Sequence, residues 1–168
     1  MTEDAPQSVA ATWIKKLGLE AHPEGGWFRR LYTSCAMMTT PEGARASATS
    51  IHYLLSADQP RGYLHRNRSD ILHFLVDGGP LDYLLVTGEG ELCRIRLAQG
   101  AGAEHFLLVP GGWWKASQLI EGASHALVAE VVTPGFDYAD HVFATIDDIE
   151  RDCPQHVAVL REFCRLPG

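Results

Sequence analysis

Hydrophobic and polar residues alternate along most of the chain, which is the pattern of β-strands with one buried face. In the clearest segment Cys93, Ile95 and Leu97 alternate with two arginines. Turn sequences rich in glycine and proline separate such segments, and short strands at this spacing are typical of a sandwich or a barrel. The alternation predicts eight strands, over residues 27–33, 48–55, 71–76, 81–87, 91–97, 105–109, 113–120 and 125–132.

At both ends of the chain the spacing of apolar residues changes from that of a strand to that of a helix. Residues 8–18 place their apolar side chains on one stripe and end at Gly18, a residue that commonly terminates helices. Near the other end Thr145 and Asp148 have the spacing of a capping box, and Pro154 suits the first position of a second helix. The pattern therefore predicts an all-β core with a short N-terminal helix and C-terminal helices.

Length and composition favour one domain of ordinary globular type. The chain has 168 residues, of which 46% are hydrophobic and 21% charged, enough for a core without disulfide staples. We expect a single domain over residues 1–168, with the barrel at about 22–143 and a helical tail at 145–166. The apolar runs are too short to span a bilayer, and the acidic start is unlike a secretory signal, which predicts a cytoplasmic protein.

The net charge of −7 argues against nucleic-acid binding. It results from 14 basic and 21 acidic residues, and the basic side chains cluster only around residues 61–68. Such a field repels a polyanion. The four cysteines are scattered and form no CxxC pair, so they are expected to be reduced packing residues. We expect a small-molecule ligand, with neither a nucleic acid nor a membrane as partner.

One group of candidate site residues is His65, Asp70 and His73. Imidazole nitrogens and carboxylate oxygens suit zinc, iron or manganese. The same residues suit proton transfer, with Asp70 orienting His65 as a base. Because His73 lies in an apolar strand, it also fits the alternative of a hydrogen-bonded core residue.

A second group follows the turn Pro110-Gly-Gly, where alternation places Trp113, Lys115 and Ser117 on one side of a strand. Burying a lysine among aromatic residues is costly unless its ammonium meets an anion. In the alternative interpretation the ammonium reaches the rim of the barrel and stays in water.

Further candidates lie near the two ends of the predicted barrel. Tyr138 and Asp137 fit either a pocket mouth or a turn that closes the barrel. Glu24 and Arg29 fit either a polar ligand site or a surface ion pair. Alternation places His52 on the sheet face opposite to its apolar neighbours.

Four segments of the chain resemble the small stand-alone cupins of the cupin-five family, which is a domain of unknown function. These segments are residues 22–29, 65–78, 109–117 and 132–141. The segments occur in the same order as in that family, and the resemblance covers about residues 22–143. It implies a double-stranded β-helix, the cupin jelly-roll barrel, with a pocket inside and assembly as a homodimer. Pairing of the apolar strand 27–33 with its copy would cover a sheet edge.

The resemblance also implies where a cupin metal would bind. The general cupin ligand positions fall on His65, Asn67, Asp70 or Ile71, and Lys115. A protonated lysine cannot bind a metal and repels cations. We therefore expect no metal cofactor; the alternative is a divalent metal held by His65, Asp70 and His73.

Without a metal, the site is similar to that of the metal-free sugar-nucleotide epimerases of the cupin superfamily. By this analogy His65 backed by Asp70 is the base and Lys115 stabilises an oxyanion. The acid would be Tyr53, Tyr63 or Tyr138. Ligand contacts are expected from Trp27, Arg29, His52, Tyr53, His73, Trp113 and Ser117.

The predicted function is that of a small-molecule-binding cupin with isomerase or epimerase activity on a sugar-like or carbonyl metabolite. One alternative is a cupin that binds or senses a ligand and catalyses nothing. The other is a metal-dependent cupin enzyme.

Overall fold

The structure is a computed structural model that describes residues 8–165. None of the helices in this part of the chain combines the length and the apolar character that crossing a membrane requires. The elements, in chain order, are α1 Val9–Leu17, β1 Glu20–Ala21, β2 Trp27–Thr33, β3 Met37–Thr40, β4 Gly43–Ala46, β5 Thr49–Ser56, β6 Arg61–Asn67, β7 Asp70–Gly78, β8 Leu81–Val86, β9 Leu92–Leu97, β10 Phe106–Val109, β11 Trp114–Leu119, β12 His125–Thr133, β13 His141–Phe143, α2 Ile146–Asp152 and α3 Val157–Leu160.

Two antiparallel sheets face each other. The first has the strand order β1-β2-β5-β12-β7-β10, the second has the order β13-β6-β11-β8-β9, and β3 pairs with β4 in a separate hairpin. Side chains that point inward from both sheets form the main apolar core, including Leu55 of β5, Leu85 of β8 and Val128 of β12. This arrangement confirms the predicted all-β barrel.

Helices cover part of the outer face of each sheet. Helix α1 packs through Ala10 against Leu54 of β5. Helices α2 and α3 pack on the second sheet, where Ile149 and Leu160 join a cluster that includes Leu64 of β6. The outer faces of β6, β8 and β11 are therefore buried, and the apolar contacts there do not depend on hydrophobic residues at the inward positions.

Local signals set the helix ends largely as predicted. Ser8 caps α1, and Gly18 ends it in the left-handed conformation with φ 61°. Thr145 and Asp148 form the expected capping box at the start of α2. The helix predicted from Pro154 begins as a single 3-10 turn and continues as the four-residue α3.

All eight predicted strands are present, with ends that agree to within two residues. The alternation does not predict β6, because this strand turns polar His65 and Asn67 inward and buries Leu64 beneath the C-terminal helices. It also does not predict β1, β3, β4 and β13, which have only two to four residues each.

Strand β2 lies near the edge of the first sheet. Its short neighbour β1 pairs only with Trp27 and Phe28. The rest of β2 carries exposed Leu31 and Tyr32. Association of two chains along this strand stays a prediction.

The packing of β6 against the C-terminal helices can be tested with Leu64→Ala. Leu64 is completely buried, so its truncation should lower the free energy of unfolding by about 3 kcal/mol in urea denaturation. Val142→Ala on the neighbouring strand β13 is the control, because Val142 is 44% exposed and its truncation should cost less than about 1 kcal/mol. Equal losses for the two variants would contradict this packing.

Acid sensitivity should depend on Asp82 of β8. Its buried carboxylate accepts hydrogen bonds from Arg96 and Arg94, and the hydrogen bond from Arg96 is the main cause that lowers the pKa of Asp82. A lowered folded-state pKa stabilises the protein above the unfolded-state pKa of about 3.9, and this stabilisation disappears as the pH falls further. The stability difference between the wild type and Asp82→Asn should therefore shrink between pH 5 and pH 2 in urea titrations.

The control for Asp82→Asn is Asp58→Asn, which changes an exposed carboxylate of the β5–β6 connection. This variant should follow the wild type at every pH. A wild-type advantage over Asp82→Asn that stays constant down to pH 2 would contradict the role of Asp82.

Candidate functional site

A small polar cavity lies between the two sheets. The volume open to water is about 40 Å³, which is room for about three water molecules. Tyr138, which is 61% exposed, lies at its mouth. The titratable and amide side chains that line the cavity are those of His22, Glu24, Arg30, His65, Asn67, Lys115, Glu130 and Tyr138.

Lys115 connects the two sheets inside the barrel. From β11 its Nζ lies 2.9 Å from Nε2 of His73 on β7 and 3.8 Å from Oε2 of Glu130 on β12. His73 and Glu130 are direct cross-strand neighbours in the first sheet, with Nε2 and Oε1 3.6 Å apart. All three side chains are buried. The ammonium is therefore held by one neutral acceptor and one carboxyl group.

The protonation states of this cluster follow from burial and from Lys115. Burial, and secondarily the charge of Lys115, holds the pKa of His73 well below its ordinary value. Neutral His73 donates from Nδ1 to the carbonyl of Leu107, 3.3 Å away, and accepts from Lys115 at Nε2. Burial raises the pKa of Glu130 although Lys115 opposes the shift. A carboxyl group of this kind is more basic than an exposed one.

A second cluster contains Glu24, His65 and His141. Oε1 of Glu24 lies 2.9 Å from Nε2 of His141 and 3.4 Å from Nε2 of His65. Burial would raise the pKa of Glu24, but the neighbouring His65 and the hydrogen bond from His141 bring it well below the ordinary value. Burial is also the main cause that lowers the pKa of His65, to about 4. Its Nδ1 donates to the carbonyl of Tyr63 at 2.7 Å.

A glycine turn before β2 places Glu24 in the barrel. Gly25 and Gly26 have φ angles of 90° and 72°, which other residues rarely adopt. A Cβ on Gly25 would also collide with the carbonyl of Arg61. Two hydrogen bonds hold the turn. The backbone N–H of Tyr63 donates to the carbonyl of Glu24 at 2.7 Å, and the hydroxyl of Tyr53 donates to the carbonyl of Gly25 at 2.8 Å.

Asn67 adds an unused hydrogen-bond donor to the cavity. The residue is buried, and within residues 8–165 its Nδ2 has no hydrogen-bond partner. A buried amide without a partner is costly. A ligand with an oxygen atom would satisfy it.

The structure brings some of the predicted catalytic residues together and separates others. His65 and Lys115 are cross-strand neighbours and line the same cavity, with Tyr138 at its mouth. Asp70 does not back His65: it is exposed and accepts a hydrogen bond from Gly111 N at 2.8 Å. Because Ile71 and His73 point inward, alternation turns Asp70 outward. Glu24 occupies the position beside His65 that was expected for Asp70.

Three of the expected ligand contacts lie on the outer face of the first sheet. Trp27 packs in the cluster beneath α1, and Arg29 donates from Nη1 to the carbonyl of Leu17. His52 pairs with Arg29 across the strands and shares its face. The prediction placed Trp27 and Arg29 near the ligand because both belong to one motif, whereas strand parity directs Phe28 and Arg30 of the same strand inward.

The other expected contacts lie inside the barrel or beside it. Tyr53 and Ser117 are buried on inward faces, and Trp113 packs against the core next to His65 and Lys115. The tyrosine alternative Tyr63 lines a separate surface groove. His73 is fully buried behind Lys115 and is not among the cavity-lining residues.

The sequence predicted no role for Glu130 or His141. It gave Asn67 only as a cupin ligand position, and it left Glu24 either in a polar ligand site or in a surface ion pair with Arg29. Glu130 had a detectable signal, since it is a charged residue at an inward position of the apolar strand predicted over 125–132. His141 had none, because β13 is too short for its parity to be predicted.

The ligand positions of a cupin metal do not fit a metal in this chain. Ile71 has no donor atom, and Lys115 is engaged with His73 and Glu130. The alternative set also fails to converge, because Asp70 points out of the barrel. A different set does converge: donor atoms of Glu24, His65 and His141 all lie within 4.8 Å of one another.

Comparisons with known proteins agree with this architecture. The Cupin_5 model, described as cupin superfamily (DUF985), matches residues 11–144. An uncharacterized protein of Saccharomyces cerevisiae is 33% identical over 159 residues, which are 85% of this chain and 79% of that protein.

Solved structures give the same result. A hypothetical protein from Leishmania major superposes with a TM-score of 0.85 at 28% identity, over 92% of this chain and 98% of the other. A protein from Shewanella oneidensis gives 0.82 at 30% identity, over 96% and 99%. An oxalate decarboxylase of Bacillus subtilis shares the fold alone. It superposes with a TM-score of 0.55 at 15% identity, over 88% of this chain and 40% of the other.

The coupling of Lys115 and Glu130 can be measured with a double-mutant cycle. Lys115→Met leaves a buried carboxyl group without its cation and should lower the free energy of unfolding at pH 8 by about 3 kcal/mol. Lys115→Met combined with Glu130→Gln should be more stable than Lys115→Met alone, because the second change removes the unpaired charge. Urea denaturation provides the values. Strictly additive losses would show that the two groups do not interact.

Proposed function

The chain belongs to the Cupin_5 family (DUF985) of the cupin superfamily, and we propose that its cavity binds a short carbonyl compound and isomerises it by proton transfer. The observation that carries the proposal is the placement of the Lys115 ammonium and the Glu130 carboxyl group, 3.8 Å apart, on one buried cavity. The fold alone assigns no reaction, so the proposal rests on these side chains.

The two groups have complementary chemistry for removing a proton next to a carbonyl. When the carbon-bound proton leaves, negative charge develops on the carbonyl oxygen, and a nearby ammonium stabilises it. The carboxylate of Glu130 accepts the proton and returns it to the former carbonyl carbon. The substrate's own hydroxyl hydrogen passes to the former carbonyl oxygen, so substrate and product contain the same atoms. Its raised pKa favours this role, because a more basic carboxylate removes a proton more readily. No step requires a group other than these residues and the substrate.

Glu130 is a better candidate for the base than His65. Nδ1 of His65 is bonded to the carbonyl of Tyr63, and Nε2 lies 3.4 Å from Oε1 of Glu24, so both ring nitrogens already have partners. The lowered pKa of His65, about 4, makes its imidazole a weak base. The proposal therefore transfers the role of base from the His65–Asp70 pair to Glu130.

The size and polarity of the cavity restrict the substrate class. A volume of about 40 Å³ accepts the carbonyl end of a compound of roughly three or four carbons, or of a longer sugar-like chain that extends past Tyr138. Asn67 can donate its unused N–H to a hydroxyl or carbonyl oxygen of such a compound. We propose hydroxy-aldehydes and hydroxy-ketones as the class, with the Tyr138 hydroxyl at the mouth as a further proton donor.

Proton exchange in deuterated water tests the reaction directly. A panel of short hydroxy-aldehydes and hydroxy-ketones is incubated with the protein, and replacement of the carbon-bound proton is followed by NMR. Loss of a general base typically slows a reaction about 10²–10⁴-fold, so Glu130→Gln should lower the exchange rate at least about 100-fold. Glu121→Gln changes an exposed carboxylate on the β11–β12 turn and should leave the rate unchanged.

Two results would overturn the proposal. One is exchange that proceeds equally in Glu130→Gln, provided that circular dichroism shows this variant folded. The other is thermal stabilisation of the wild type by a panel compound without any exchange, which would support the non-catalytic binding protein instead.

A further inference from the structure

Two imidazole nitrogens converge on one carboxylate oxygen at the edge of the cavity. Nε2 of His141 and Nε2 of His65 lie 2.9 Å and 3.4 Å from Oε1 of Glu24. The two imidazole rings are stacked, with centroids 5.0 Å apart and an interplanar angle of 27°. Both histidine side chains are at least 95% buried, and that of Glu24 is 88% buried. A single hydrogen bond between Glu24 and one histidine does not require a second imidazole on the same oxygen.

The hydrogen bond on the other side of His65 defines what this ring presents to Glu24. Nδ1 of His65 lies 2.7 Å from the carbonyl of Tyr63, so this nitrogen carries a hydrogen. Nε2 is therefore the ring atom left to contact Glu24, and it lies on the same side as the Nε2 of His141. A positive ion between these atoms would be bound by both imidazoles and by the carboxylate. Metal-bound histidines commonly have their second nitrogen fixed by a carbonyl in this way.

We infer that Glu24, His65 and His141 form a binding site for a divalent cation of the zinc class. Two imidazoles and one carboxylate are a known ligand set for zinc, which binds each at about 2.0–2.2 Å. Tetrahedral ligand atoms at that distance lie roughly 3.3–3.6 Å from one another. The present separations, 2.9 and 3.4 Å with all three donor atoms within 4.8 Å, need only small side-chain shifts to reach that geometry.

The site differs from the ligand set that the cupin fold implies. Only His65 is common to both, while Glu24 comes from the glycine turn before β2 and His141 comes from β13. Strand pairing brings His141 opposite Asn67, next to His65 along β6. His22 is not a ligand through Nδ1, because this atom accepts a hydrogen bond from Glu24 N at 3.0 Å.

The charges around the cavity favour an anion beside the bound cation. The two negative charges of Glu24 and Glu130 would balance the ammonium of Lys115 and one of the two charges of a divalent ion. The cavity would then keep an excess of positive charge. Three protein ligands also leave one coordination position of a tetrahedral ion open to the cavity. An oxygen of an anionic or carbonyl ligand suits that position. The cation site does not depend on the proposed proton transfer.

Cobalt(II) is a suitable probe, because its visible absorption reports four-coordinate nitrogen and oxygen ligation. Full-length protein freed of metal by a chelator is titrated with cobalt(II), and zinc is titrated by calorimetry. We expect one equivalent to bind, with the intense visible bands of a tetrahedral ion. His141→Gln and Glu24→Gln should each weaken binding at least 100-fold. His125→Gln is the matched control, because His125 is also buried and bonded to a carboxylate, Asp77, outside this cavity.

The outcomes separate the cation site from the proposed reaction. Glu130→Gln keeps all three proposed ligands, so it should still bind one equivalent of cobalt with tetrahedral bands while losing proton exchange, and a failure of either proposal can be seen without the other. Circular dichroism of the metal-free variants shows whether they are folded. Wild-type protein that binds neither ion would overturn the inference, as would full cobalt affinity in folded His141→Gln and Glu24→Gln. A charged His65 paired with Glu24 would then account for the cluster.

Discussion

An ammonium group that is enclosed between two sheets must find its partners inside the barrel. Removing a charge from water costs several kcal/mol unless other groups compensate it, so the burial of Lys115 constrains everything around it. Lys115 enters from the second sheet, and its partners His73 and Glu130 are neighbours on the first. The contact therefore fixes how the two sheets face each other at this level of the barrel. It also keeps the local interior polar.

This polar interior supports the binding function that we propose. An apolar filling of similar volume would commonly be as stable as a buried ion cluster, or more stable. Here the cluster lies beside a cavity, and Asn67 faces that cavity with a donor that no described residue satisfies. The polar ligand that we propose for this space would offset the free-energy cost of these groups.

The remaining architecture holds this interior in place from outside. Helices α2 and α3 cover the second sheet, so β6 can turn His65 and Asn67 inward while Leu64 anchors its other face. The glycine turn before β2 closes over the same strand and carries Glu24 to His65. The two clusters are thus supported by a core on one side of β6 and by a rigid turn at its edge.

The sequence by itself determined eight of the strands, the helix caps and the strand face that Trp113, Lys115 and Ser117 share. These properties depend on neighbours within a few residues, through alternation along a strand or the spacing of a cap. It also placed His65 and Lys115 in one cavity, because the motifs that contain them follow a known order. Only the tertiary structure decided that Glu24 and not Asp70 stands beside His65, and that Glu130 and His141 belong to the site. These residues come from strands and turns far apart in the chain. Their convergence depends on strand order and on the packing of one sheet against the other, and no local pattern of residues encodes either.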